Sequence, residues 1–314
     1  MPKKTIVTIL IILMVLFTGV LCVYLSFIKD SPFGEKRLKF GATYMNMNNP
    51  YFVKLNEGIK KTVESQNGKL IALDAQLEAS KQISQVDDLI AQKVDVIFLN
   101  PVDWNGIKPA LIAAKKAKIP VIVVDSPVFN DDLVDCTIVS QNYNAGVLCA
   151  NDLVAKLKGK GNVVVIEHPT AKSAIQRIEG FEDTIKKYSE IKVVARESSN
   201  GQLELSMEVM DAIIKSNVNI DAVMCLNDPT ALGVIAAFEN TKKNDNVYIY
   251  GVDGAADALA MIGKGKLTAT AAQFPDMIGK IAAETALKRL EGVKVDKYID
   301  VPVELINKLN LVYP

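Results

Sequence analysis

Leu38-Lys39-Phe40-Gly41-Ala42-Thr43-Tyr44-Met45-Asn46-Met47-Asn48-Asn49-Pro50-Tyr51-Phe52 reads as a strand, a short polar turn and the start of a helix. The strand runs from Leu38 to Met45. Pro50 suits a first helical turn, where its missing N–H costs nothing. Phe52, Leu55, Ile59 and Val63 then recur at helical spacing as one apolar stripe. Two aromatics, Tyr51 and Phe52, therefore stand just past the carboxyl end of a first strand. In open α/β sheets that is where ligands bind. The competing reading is that the rings only staple the helix to its own sheet; Asn-Asn-Pro-Tyr-Phe at this address favours a ligand.

Beyond this unit, strand-like and helix-like segments alternate. Val96–Leu99 reads as a strand ending in Asn100-Pro101, and Val121–Val124 as one ending at Asp125. A second series follows the same rhythm, with strands at Val163–Ile166, Ala222–Leu226 and Val247–Val252 and a last strand at Tyr298–Val303. Short, wholly apolar strands between helices are buried on both faces, as in parallel sheets covered by helices. The expected fold is α/β, with two doubly wound parallel-sheet, Rossmann-like lobes. Asp228 is expected to cap the helix that starts at Pro229.

The chain has 314 residues, a formal net charge of zero, one His and four Cys. Zero net charge gives no sign of a nucleic-acid partner. No pair of cysteines has metal or CxxC spacing, so buried, inert thiols are expected at Cys136, Cys149 and Cys225. Thr5 through Ile28 carries no charge and is long enough to cross a hydrocarbon core of about 30 Å. Lys3 and Lys4 precede it, which keeps residues 1–4 cytoplasmic and the rest outside. No small-x-small cleavage site precedes Lys29, and Cys22 follows Leu21 rather than the small residue of a lipoprotein signal. The reading is an uncleaved single-pass anchor at 5–28 and a polar tether at 29–37.

The strand ends carry Asn49, Tyr51, Phe52, Asn100, Asp125, Asn227, Asp228, Asp253 and Gln273, and Arg177 joins them from a helix. Carboxylates and amides offer paired acceptors and donors to vicinal hydroxyls, and Arg donates a fork of N–H groups. Aromatic faces cover the C–H side of a sugar ring. Singly, each residue has a structural explanation: a cap, a turn former or a solvated charge. As a set converging on one crevice they describe a site for a neutral polyhydroxylated ligand.

With these residues in hand, the sequence resembles the type I periplasmic binding proteins, in particular the ribose-binding-like sugar receptors. The resemblance runs from about Leu38 to about Val303. It rests on Asn48-Asn49-Pro50-Tyr51-Phe52, Ile119-Pro120-Val121-Ile122 leading to Asp125, and Arg177-Ile178-Glu179-Gly180-Phe181. It rests also on Asn227-Asp228 with Ala231-Leu232-Gly233, Gly251-Val252-Asp253-Gly254, and Ala272-Gln273-Phe274-Pro275-Asp276. It implies two lobes, 38–140 with 274–301 and 141–273 with 302–314, joined by three hinge strands near Ser140, Gln273 and Pro302. It implies that Asn49, Asp125, Arg177, Asn227, Asp253 and Gln273 bond sugar hydroxyls while Tyr51 and Phe52 pack on the ring. The chain departs from the ribose receptors at Ser126, where they carry Arg, and at Gly201 and Val252, where they carry aromatics. Ser126 and Trp104, the one Trp, are further candidate contacts.

The resemblance implies an extracytoplasmic monosaccharide-binding protein, a pentose such as xylose or ribose being favoured, with no catalysis, cofactor or metal. Two outputs compete. A transmembrane anchor is similar to that of xylose-sensing members that regulate a membrane histidine kinase; the alternative is delivery to an ABC permease. A glycoside-processing enzyme built on Asp125 and Asp253 is the remote third reading. His168, before Pro169, reads as an ordinary loop residue.

Overall fold

The computed structural model describes Met14, Thr18, Gly19, residues 37–241 and residues 247–312. The expected anchor and tether lie almost wholly outside the described residues. Among the described residues no helix is long and apolar enough to cross a membrane. Lys39–Pro314 form one compact unit.

That unit is built on two six-stranded sheets. The first holds β1 (Lys39–Tyr44), β2 (Lys69–Asp74), β3 (Val96–Leu99), β4 (Val121–Val124), β5 (Cys136–Ser140) and β11 (Tyr298–Val301) in the order β11-β5-β4-β3-β1-β2. The second holds β6 (Lys160–Glu167), β7 (Glu190–Ser198), β8 (Ala222–Cys225), β9 (Tyr248–Asp253), β10 (Ala269–Ala272) and β12 (Glu304–Asn307) in the order β12-β10-β9-β8-β6-β7. The two orders are the same pattern used twice. In each, the strand order reverses beside the first strand of the series, β1 or β6, and the crevice of such a sheet opens at that reversal.

Two-faced burial explains the apolar runs. Val163 and Val165 of β6 join a core under α4 (Asn142–Leu157) and α5 (Lys172–Ile185). Val164 and Ile166, pointing the other way, join a core under α6 (Leu203–Lys215), α7 (Asp228–Thr241) and α8 (Ala256–Gly263). In the first sheet, α2 (Ala79–Ala91) and α3 (Lys108–Lys116) cover one face through Val86, Leu89, Ala110 and Leu111. The helices α1 (Pro50–Ser65) and α9 (Pro275–Leu290) pack on each other beside the same sheet. Cys136, Cys149 and Cys225 are buried free thiols.

The chain end differs from the expected single strand at Tyr298–Val303. Pro302 has no N–H to give a ladder, and it separates β11, parallel to β5, from β12, which runs antiparallel to β10 in the other sheet. The second sheet is therefore not purely parallel. The chain passes between the sheets three times: from β5 to α4, from β10 to α9, and from β11 to β12. The first and third crossings are tied together by Gln141 N donating to Val301 O at 2.9 Å.

Two glycines set the spacing of α4 and α5, and with it the position of Arg177. A Cβ on Gly146 would stand 1.9 Å from the Arg177 carbonyl oxygen, and one on Gly180 2.0 Å from that of Tyr143. Ala is the better helix former by about 1 kcal/mol, but a 1.9 Å approach to a backbone atom forces the helices apart. Gly146→Ala is therefore expected to destabilise the protein by about 1–3 kcal/mol, the range for overpacking. Urea unfolding measures it; an unchanged or raised midpoint would contradict this packing.

Candidate functional site

The carboxyl ends of the two sheets face one cleft, with about 470 Å³ of unfilled space. Of the residues expected at the site, Asn49, Tyr51, Phe52, Asp125, Arg177, Asn227 and Asp253 line it.

From the first sheet, Asn49 follows β1 and caps α1, its Oδ1 accepting from Tyr51 N at 2.9 Å. The cap uses the amide oxygen and leaves the NH₂ group for the cleft. The Tyr51 and Phe52 rings meet edge to face at 5.3 Å. Asp125 follows β4 with φ +66°. Its Oδ2 accepts from Asn100 Nδ2 at 2.9 Å, and Asn100 is held in turn by Met45 N at 3.0 Å. Asn100 is fully buried and orients Asp125 from behind.

From the second sheet, Arg177 on α5 is buried with every arm engaged. Nε donates to Asn142 Oδ1 at 2.9 Å, Nη1 to Leu226 O at 2.9 Å, and Nη2 to Gln273 Oε1 at 3.1 Å. Nη1 also lies 3.7 Å from Asp253 Oδ1, and Gln273 Nε2 donates to that oxygen at 2.7 Å. Asp253 closes β9 with φ +137°. Non-glycine residues at positive φ cluster at functional sites, and here each sheet contributes one such aspartate. Gln273 lies behind Asp253, in an adjoining recess of about 520 Å³ whose wall Tyr51 and Asp253 share.

Burial raises the Asp125 carboxyl above its usual range, partly offset by the Arg177 charge and by hydrogen bonding. Burial also raises Asp253, again against Arg177. Among the described residues Asp253 Oδ2 is buried without a hydrogen-bond partner, while the Tyr51 hydroxyl faces the Asp125 carboxyl. An unpaired buried polar atom costs about 1–3 kcal/mol, so a ligand that satisfies it is favoured. Two carboxylates against one guanidinium disfavour an anionic ligand and favour hydroxyl donors. Among the described residues no group of three His, Cys, Asp or Glu could hold a metal ion.

Several residues sit elsewhere than expected. Ser126 and Trp104 do not line the cleft; they join the two halves beside it. Ser126 Oγ accepts from Ser173 N at 3.1 Å, and Trp104 N donates to Thr170 O at 3.1 Å. The Trp104 ring meets Phe129 edge-on, with Lys172 Nζ 5.5 Å from its centroid. Val252 is buried in the core beneath α4 and α5, so only the Gly201 departure faces the cleft. Asp228 does not cap α7. Asn227 does, its Oδ1 accepting from Thr230 N at 3.0 Å. Asp228 instead braces the end of β9, accepting from Ala255 N at 2.7 Å and Thr270 Oγ1 at 2.6 Å, and burial raises its carboxyl to about 6.

His168, Asn200 and Ser173 line the cleft although sequence reasoning passed over them. The missed signal was the strand-end rule itself: His168 follows β6, the counterpart of β1, and Asn200 follows β7.

Residues 40–294 match the model of a periplasmic binding protein domain. The ribose import binding protein of Bacillus subtilis is 34% identical over 305 residues, 96% of this chain and 98% of that protein. An ABC transporter solute binding protein from Bacillus halodurans with bound myo-inositol superposes with a TM-score of 0.83 at 26% identity, covering 88% of this chain and 97% of that one. An ABC transporter periplasmic solute binding protein from Actinobacillus succinogenes with bound D-allose gives 0.80 at 28% identity, covering 87% and 98%. These relatives are named as binding proteins, not enzymes.

Burial lowers the His168 imidazole to about 4, against an ordinary value of 6.5. The unfolded chain therefore takes up this proton first as pH falls, so stability is lost as pH drops from about 6.5 to about 4, and the full cost persists below that. The loss from pH 7 to pH 4 amounts to roughly 3 kcal/mol by linkage. In His168→Asn the fall in unfolding free energy over that interval should be smaller by about this amount. Denaturant titrations at the two pH values measure it; equal falls in both proteins would contradict the burial of a neutral imidazole.

Proposed function

The chain belongs to the periplasmic binding protein family, with the type I ribose-binding-like sugar receptors, and on that premise we propose that it binds a neutral monosaccharide outside the cytoplasm. The observation that carries the reading is the pair of strand-end aspartates, one from each sheet, facing a single cleft with Arg177. In this reading Asp125 and Asp253 accept from ring hydroxyls, and Arg177, Asn49 and Asn227 donate to them. Gln273 holds Asp253 and Arg177 in place, and Tyr51 and Phe52 cover the ring. The ribose import relatives put the pentoses xylose and ribose among the candidates, beside hexoses such as the D-allose bound by a related protein.

The mechanism follows from two half-sites. Residues 38–140 with 274–301 form one lobe, and 141–273 with 302–314 the other. The three crossings act as hinges. A sugar touching both lobes binds the closed arrangement better than the open one and shifts the population toward it. Closure presents a partner with a joint surface of both lobes. The related import proteins favour an ABC permease as that partner. The uncharged run from Thr5 to Ile28 behind Lys3 and Lys4 favours a second reading, a membrane-anchored sensor whose closure regulates a histidine kinase.

A thermal-shift screen of the full-length chain in detergent, against pentoses, hexoses, disaccharides and polyols, tests the function. A ligand of the folded state raises the melting temperature with its occupancy. A saturable rise with one or a few neutral sugars is expected; no rise with any would contradict the reading. Asp125→Ala should then weaken binding by about 2 kcal/mol or more, roughly 30-fold, because its partner hydroxyls lose a buried acceptor. Calorimetry measures this, and an unchanged dissociation constant would remove Asp125 from the site. For the sensor reading, membrane-fraction protein should retain residues 1–28; an N-terminus near residue 30 by mass spectrometry would leave the permease reading alone.

A further inference from the structure

One corner of the cleft differs from the rest. His168, Asn200, Gly201 and Asn227 meet there, with Leu226 behind them, and none of these residues is charged at neutral pH. The His168 ring is fixed on one side, with Nε2 3.1 Å from Thr170 Oγ1. Among the described residues no group hydrogen-bonds its Nδ1. Gly201 has φ +72°, a conformation that glycine adopts freely and that disfavours any side chain. A Cβ there would point between Asn227 Nδ2, at 3.1 Å, and His168 Nδ1 and Leu226 Cδ1, each at 3.7 Å. Backbone geometry thus keeps this side of Gly201 bare, leaving His168 Nδ1, the Asn227 amide nitrogen, which also donates to the Gly201 carbonyl at 3.3 Å, and an apolar wall beside the cleft.

The chemistry of this recess complements that of the opposite part of the site. Ring hydroxyls are served by ionisable groups, Asp125, Asp253 and Arg177. The recess pairs uncharged hydrogen-bonding nitrogens with a leucine side chain, which suits a group with one carbon and one hydroxyl. We propose that the His168–Gly201 recess is a specificity subsite for an exocyclic hydroxymethyl group, that His168 Nδ1 contacts its hydroxyl, and that the preferred ligand is a six-carbon sugar rather than a pentose. The inference rests on the monosaccharide reading above. Either tautomer of a neutral imidazole serves, since Nδ1 donates to the hydroxyl when Nε2 accepts from Thr170 and accepts from it when Nε2 donates.

Calorimetry on the full-length chain with sugar pairs that differ only by this group tests the proposal: xylose with glucose, ribose with allose, L-arabinose with D-galactose. In the pair whose ring fits the cleft, the six-carbon member should bind at least about tenfold tighter, the size of one well-made hydrogen bond with its apolar contact. His168→Leu should weaken the six-carbon member more than its pentose partner and so remove that advantage. His168→Asn, which returns a polar atom near the position of Nδ1, should restore most of it. A merely structural role for His168 would shift both members of the pair equally, and that result would overturn the proposal. So would a pentose binding as tightly as its six-carbon partner. Binding of neither member in any pair, with no thermal shift from other neutral sugars, would overturn the monosaccharide reading itself.

Discussion

A buried guanidinium beside buried carboxylates organises the centre of this molecule. Taking such charges out of water is costly, and leaving one uncompensated costs about 3–5 kcal/mol. Arg177 meets that constraint by spending its donors on Asn142, the Leu226 carbonyl, Gln273 and Asp253. Those partners come from α4, the end of β8, the end of β10 and the end of β9. One side chain therefore fixes the relative positions of four elements, and the close α4–α5 contact at Gly146 and Gly180 delivers it there. The half-site in the second sheet is rigid for this reason, and Asp253 is held at one oxygen while the other stays free.

The first sheet carries no arginine of its own at the site: Asp125 feels the Arg177 charge across the cleft, and its direct side-chain partner is the Asn100 amide. Asp125 occupies in β4 the place of Asp253 in β9, and Asn100 in β3 the place of Asn227 in β8. Asn100 is locked behind Asp125 by a network reaching Gln82, whose Nε2 donates to the Asn100 carbonyl at 2.8 Å. One half-site is thus electrostatically anchored and the other anchored by amides. The contacts of Trp104 with Thr170 and of Ser126 with Ser173 add direct bonds between the halves. The arrangement suits a ligand that completes the hydrogen bonding of both aspartates, because only contacts made to both halves distinguish closed from open.

Much of this was legible in the sequence because strand ends in doubly wound sheets are marked by local chemistry. Pro50 marks a helix start directly after the first strand, and Asp125 and Asp253 end short apolar runs that read as buried strands. Less legible were features set by tertiary contact. Whether Ser126 faces the cleft or the opposite lobe depends on Ser173, forty-seven residues later. Val252 alternates into the core because Asp253 takes the turn, a phase that no local signal fixes. Asn227 and Asp228 are adjacent and equally good caps, and only the demand of Ala255 and Thr270 for an acceptor decides between them. β12 escaped because its four residues pair with a strand more than thirty residues away and follow a proline that reads as an end. His168 was passed over for its neighbour Pro169, although it ends the central strand of the second series.

Sugar binding by this molecule requires the two halves to close together, and Trp104 reports that closure most directly. It is the one Trp of the chain, its backbone N–H donates to the Thr170 carbonyl of the opposite half, and Lys172 of that half lies over its ring. Titration of the full-length chain with a sugar that raises its melting temperature, followed by Trp104 emission, is therefore the decisive measurement. The account predicts a saturable change whose midpoint equals the calorimetric dissociation constant. A stabilising sugar that saturates the protein without altering Trp104 emission would contradict closure between the two sheets.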